Sequence, residues 1–154
     1  MKHLYTFLLA SAISVPAFAQ LSGTRTVGGS NPDHPTLTAA VNALMSQGAN
    51  GDVTFDIRPG TYTGQYSLGA IPGTPGTITF RNSSSGSQLV NLEYDASGSS
   101  DNFIFRVDGT DDVVFEKLNF RPLDFNYARA IHFFNAIEGL IIEPVSYTHL
   151  TLPT

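Results

Sequence analysis

The chain reads as a mostly-β protein, a right-handed parallel β-helix closed at its start by an amphipathic helix. Three observations predict this. Short apolar–polar alternations such as 53–57, 78–81 and 103–107 are separated by clusters of Gly, Pro, Ser, Asn and Asp. The strand–turn–strand pattern recurs at a period in the twenties. Helical periodicity is convincing in a single segment, Thr36 to Gln47.

Composition narrows the function classes. At 154 residues one domain is the natural expectation. The absence of cysteine excludes a disulfide framework, a Cys-ligated zinc site, an iron–sulfur cluster and a cysteine nucleophile. A net charge of -5 with scattered basic residues argues against nucleic acid as a partner. With 14% charged residues but 14 glycines and 11 phenylalanines, the chain has the texture of an extracellular β protein.

Residues 1–19 read as a secretory signal peptide. Lys2 and His3 form the basic start, Leu4 to Val15 the apolar run, and Ala17-Phe18-Ala19 the small-residue cleavage site. That run is short for a bilayer span, so an uncleaved anchor is the weaker alternative. The expected mature chain starts at Gln20 and has no membrane span.

In the helix, Leu37, Ala40, Val41, Leu44 and Met45 make one apolar stripe, with Thr36 as N-cap and Gly48 at the left-handed end. The strands expected after it are 53–57, 66–71, 78–81, 90–94, 103–107, 113–120, 131–134 and 140–142. Turns are expected at 58–60, 72–76, 82–88, 95–102 and 108–112.

Two offsets carry the repeat. Phe55, Phe80 and Phe105 are evenly spaced by 25, and a shift of 27 lays 103–116 on 130–143 without a gap. Ile104 then meets Ile131, Asp108 meets Asn135 and Glu116 meets Glu143. The two offsets cannot be one register throughout. A β-sandwich also gives short strands and Gly/Pro turns, but it carries no fixed-offset repeat, so the solenoid is the better reading.

Thr26-Val27-Gly28-Gly29, Asp33, the helix from Thr36, the strand 53–57 and Pro59-Gly60-Thr61-Tyr62 together resemble the opening of the pectin-lyase-like superfamily. Pectin methylesterases are the nearest type, and 102–107 through 118–120 is similar to their second and third coils. Large secreted β-helix proteins of Gram-negative bacteria are also similar. The resemblance spans about 25–143 and implies a capped β-helix, with 20–143 as an incomplete domain. The last stretch, 144–154, departs from this texture and resembles a translated sequencing adapter, so it is expected to be non-native.

For chemistry the resemblance implies little. In pectin methylesterases a glutamine on the third-coil strand helps hold the oxyanion, and Arg129 stands at that position here. Their catalytic aspartates come from later coils. Alternation along the strands places Asp56, Arg81, Arg106 and His132 outward, and with Arg129 these are the candidate substrate-contacting residues. Asp108, Asp111 and Asp112 are the only acidic cluster, a candidate for Ca²⁺, though a turn role explains them as well. Stacked Glu116 and Glu143 are a further acidic pair. Asn82-Ser83-Ser84 fits a glycosylation sequon.

Catalytic residues are not expected in this chain. The reading is a secreted or cell-surface scaffold of adhesion type that contacts extracellular polysaccharide. The alternative is the N-terminal piece of a carbohydrate esterase or polysaccharide lyase.

Overall fold

A computed structural model describes residues 19–127, 129–135, 138–139, 141–143 and 146–147. The expected signal peptide lies, apart from Ala19, outside the described residues, as do Leu140 and all of 144–154 but Ser146 and Tyr147.

The described chain forms β1 (Leu21–Val27), α1 (Leu37–Gln47), β2 (Ala49–Ile57), β3 (Gly60–Thr63), β4 (Tyr66–Leu68), β5 (Gly73–Asn82), β6 (Val90–Tyr94), β7 (Phe105–Asp108), β8 (Val113–Glu116), β9 (Asn119–Pro122), β10 (Ile131–Phe134), β11 (Ile141–Glu143) and β12 (Ser146–Tyr147). Every strand pairing is parallel. The strands make three walls: sheet A in the order β1-β2-β5-β8-β11, sheet B in the order β3-β6-β9-β12, and sheet C in the order β4-β7-β10. The chain visits the walls in turn, A to B to C, and each new coil lays its strands on the last. The expected parallel β-solenoid with a helical cap is therefore the fold.

Inward-facing residues of the walls meet in a phenylalanine core. Phe55, Phe80 and Phe115 stack down sheet A, with ring centroids 5.1 Å apart for the first pair and 5.8 Å for the second. Phe105 of sheet C meets Phe80 and Phe115 edge-on at 5.1 Å and 4.9 Å, and Phe120 of sheet B closes on Phe115 at 5.9 Å. All five side chains are fully buried. Each such contact adds about 0.5–1.5 kcal/mol beyond the burial itself.

The cap is built as the sequence predicts. The Thr36 hydroxyl accepts from the Ala39 N–H at 3.1 Å, and Leu37, Ala40, Val41 and Leu44 are buried. Gly48 ends the helix with φ 76°, its N–H donating to the Leu44 carbonyl. A Cβ at Gly48 would collide with the Pro72 carbonyl oxygen, so both conformation and space require glycine there. Upstream, Asp33 ties the approach to the helix. Its carboxylate accepts from the Thr26 N–H at 2.7 Å and the Thr26 hydroxyl at 2.8 Å. α1 packs on β1, β2 and β4, the first strands of sheets A and C.

Several sequence expectations are corrected. The run 113–120 is two strands on two walls, because Lys117 takes φ 54° and turns the chain between β8 and β9. Residues 73–76 extend β5 rather than turning. The 25-residue offset holds from Phe55 to Phe80, but Phe80 pairs with Phe115, and Phe105 belongs to sheet C opposite Tyr66 and Ile131. The 27-residue offset holds for Glu116 opposite Glu143. On sheet C it slips by one, placing Ile131 beside Phe105 instead of Ile104. Ser146 and Tyr147 pair with Asn119 and Phe120, the next position on sheet B.

Candidate functional site

The residues expected to face outward fall on two walls. Asp56 and Arg81 are register partners on β2 and β5 of sheet A, and Arg81 Nε donates to Asp56 Oδ1. That hydrogen bond holds the Arg81 guanidinium still more firmly protonated, with the Asp56 and Glu116 charges adding to it. Glu116 lies opposite Arg81 on β8, and Glu143 opposite Glu116 on β11.

Arg106, Arg129 and His132 gather instead at sheet C. Arg106 and His132 are register partners on β7 and β10. Arg106 Nη2 donates to Asp108 Oδ2 at 2.7 Å, and its guanidinium carbon sits 4.9 Å from the centre of the Phe134 ring. Its Nε is buried without a partner among the described residues. His132 lies between Phe103 and Phe134, at centroid distances of 6.3 Å and 5.9 Å. Desolvation lowers its pKa, the Arg129 and Arg106 charges lower it further, and Asp108 opposes them. The imidazole is thus neutral at pH 7 and can donate or accept a hydrogen bond. Arg129 is anchored through its backbone N–H, which donates to Asn102 Oδ1 at 2.8 Å. This part of the wall brings two arginines, an imidazole and aromatic rings together, and it offers stacking and hydrogen bonds.

Of the three aspartates proposed for Ca²⁺, Asp108 ends β7 and Asp111 and Asp112 lie in the corner before β8, and each is bonded to the next coil. Asp108 also accepts from the Asn135 amide, and Asp111 Oδ1 accepts from the Glu138 N–H at 2.9 Å. Asp112, at φ 52°, donates its N–H to the Glu138 carbonyl and accepts from Ile78 N–H through its own carbonyl, both at 2.9 Å. Among the described residues no three His, Cys, Asp or Glu side chains group closely enough to hold a metal ion.

Some polar features escaped the sequence reading. On sheet B, Asn119 Nδ2 donates to Asn91 Oδ1 at 2.6 Å and Arg121 pairs with Glu93. The alternation Asn91, Glu93 against Asn119, Arg121 carries that signal once 113–120 is split. Asp101 organises the loop before β7, accepting from the Ser97 and Gly98 N–H groups, and these bonds lower its pKa. Asn82 of the sequon is buried. Its amide donates to the Gln88 carbonyl at 2.8 Å and accepts from the Ser84 N–H at 2.9 Å.

Comparison of the chain with family models, curated proteins and solved structures gives no match in any of the three.

Proposed function

We propose that this chain is the cap and first coils of a secreted, cell-surface β-helix scaffold of the pectin-lyase-like type, which contacts polysaccharide without transforming it. The carrying observation is how its outward charges are used. Asp56 pairs with Arg81, Glu93 with Arg121 and Asp108 with Arg106. Two of these pairs bridge neighbouring coils, so Asp56 and Glu93 are tied into coil stacking rather than free for acid–base work. The strip on sheet C made by exposed Phe134 with half-buried Arg106 and His132 is the contact surface, since aromatic faces and planar donors suit sugar rings. Export through residues 1–19, in a Gram-negative bacterium, completes the reading.

The test is sedimentation of the mature chain with insoluble polysaccharides, with and without Phe134→Ala. Saturable binding that Phe134→Ala weakens supports the reading. Release of methanol or of unsaturated sugar products would replace it with the esterase or lyase alternative. Export is checked by N-terminal sequencing of the chain recovered from the medium, which should begin at Gln20.

A further inference from the structure

A cavity of about 200 Å³ opens where the first turn of α1 meets the strands β3 and β4. Thr36, Leu37, Thr38, Thr61, Thr63 and Tyr66 line it. Its wall is rich in donors. The Thr36 hydroxyl takes the N–H of Ala39, and the Thr36 carbonyl that of Ala40. The N–H groups of Leu37 and Thr38 therefore have no protein acceptor among the described residues. No acidic residue stands in that first turn or lines the cavity, so the positive end of the helix is left uncompensated.

Tyr66 supplies an independent observation. The residue is 2% exposed and its ring packs on Phe105 at 5.5 Å. Its hydroxyl nevertheless bonds to no protein group among the described residues. Neighbouring Tyr62 differs, donating to the Arg58 carbonyl at 2.8 Å. The ring is buried while the hydroxyl stays accessible, and with Tyr66 in the cavity lining its partner is whatever fills the cavity. Burial pushes the pKa of Tyr66 up to about 12, so it remains a donor at any ordinary pH.

β3 adds both kinds of group. It is the edge strand of sheet B, and Gly60 and Gly64 donate toward β6, to the Leu89 and Glu93 carbonyls. Ladder alternation therefore turns the N–H and C=O groups of Thr61 and Thr63 away from β6.

We propose that this cavity binds a small protonated oxyanion of the hydrogen phosphate type, held by the first N–H groups of α1, the Tyr66 hydroxyl and the threonine hydroxyls. Several acceptor oxygens meet converging donors at a helix N-terminus, and the anion's own hydroxyl answers the carbonyls of the β3 edge. The wall carries no Lys or Arg, so binding is weak and discriminates by hydrogen bonding rather than by charge.

The experiment titrates inorganic phosphate into the full mature chain at constant ionic strength, with chloride as the balancing ion. Amide NMR shifts and thermal unfolding are the readouts. Saturable shifts are expected at Leu37, Thr38, Thr61 and Thr63, with a matching rise in Tm. Tyr66→Phe keeps the ring and removes the hydroxyl, and it should weaken binding about fivefold, the worth of one hydrogen bond. Thr38→Glu brings a carboxylate to the same N–H groups. It should raise Tm without phosphate and abolish the phosphate response. Shifts that fail to saturate, that chloride reproduces, or that Tyr66→Phe leaves unchanged in midpoint overturn the proposal. The phenylalanine variant decides the matter even if the glutamate variant does not fold.

Discussion

Phe80 shows what one side chain carries in a solenoid. It touches the coil before through Phe55, the coil after through Phe115, and the opposite wall through Phe105. Phe80→Ala should therefore cost about 3–5 kcal/mol, because the cavity is bounded on three sides by rings that cannot all collapse inward. Urea unfolding monitored by circular dichroism measures this, and a loss below about 1 kcal/mol would show that the ladder is not what stabilises the coils. His34 makes a different prediction. Its Nε2 is buried without a partner and its ring lies 5.9 Å from Phe55. Desolvation lowers its pKa below the ordinary 6.5, Asp33 opposes this, and Arg25 adds to it. The unfolded chain thus takes up a proton below about pH 6.5 that the folded chain refuses. Stability is intact above that pH and falls as pH drops toward the folded pKa. His34→Phe should flatten the dependence of stability on pH below about 6.5, leaving the part due to His132, which is shifted the same way. An unchanged slope in denaturation midpoints across that range would refute the assignment. At this scale the sequence was partly legible. Alternation correctly turned Asp56, Arg81, Arg106 and His132 outward, but whether two outward residues share a wall depends on corners that alternation does not see.

Elements differed in how openly the sequence declared them. α1 was readable to the residue because cap, stripe and terminating glycine all agree. Strands β6 and β10 appeared with their observed bounds because turn clusters flank them. β1 and β3 were missed, being polar and edge-placed, with few inward residues to mark the period. β8 and β9 merged because the corner between them is only Lys117 and Leu118, with the lysine in a left-handed conformation where Gly or Asn would have been the visible signal. The repeat offset failed for a related reason. Phe55 to Phe80 spans 25 residues and Phe80 to Phe115 spans 35, so the second coil carries longer corner loops, including 83–89 and 95–104. Loops of this kind lengthen at little energetic cost and leave the stacking register untouched. The cap offers two tests of element stability. Thr36→Ala removes the bond to the Ala39 N–H and should cost about 1 kcal/mol. Gly48→Ala should cost about 2 kcal/mol or more, since it meets both a left-handed backbone and the Pro72 carbonyl. Calorimetric melting of the two variants should rank them in that order, and the reverse order would mean that the joint between α1 and β2 is loosely packed.

For the whole molecule, parallel stacking makes stability a property of position along the solenoid. β5, β6 and β7 have hydrogen-bonded neighbours on both sides, whereas β10 pairs only with β7 and β11 only with β8 among the described residues. The inward-facing side chains follow the same gradient. Phe80, Leu92 and Phe105 are fully buried, while Phe133, in register with buried Val107, is 39% exposed, and Ile142, in register with Phe115, is 45% exposed. In a nearest-neighbour solenoid a coil covered on one face lacks a whole interface term, so it opens at lower free energy than a coil covered on both. Amide hydrogen exchange should therefore be slowest in β5 and β7 and should quicken through β8 to β10 and β11. At the other end β2 should remain protected, because β1 pairs along it and α1 packs against both. Denaturant should narrow the gap as global unfolding approaches, because local opening of β10 and β11 exposes little surface and responds weakly, whereas exposure of the Phe55–Phe80–Phe115 stack responds steeply. Uniform protection from β2 to β11 would instead mean that the phenylalanine core couples all coils into one cooperative unit, and the additive picture of the solenoid would have to be abandoned for this chain.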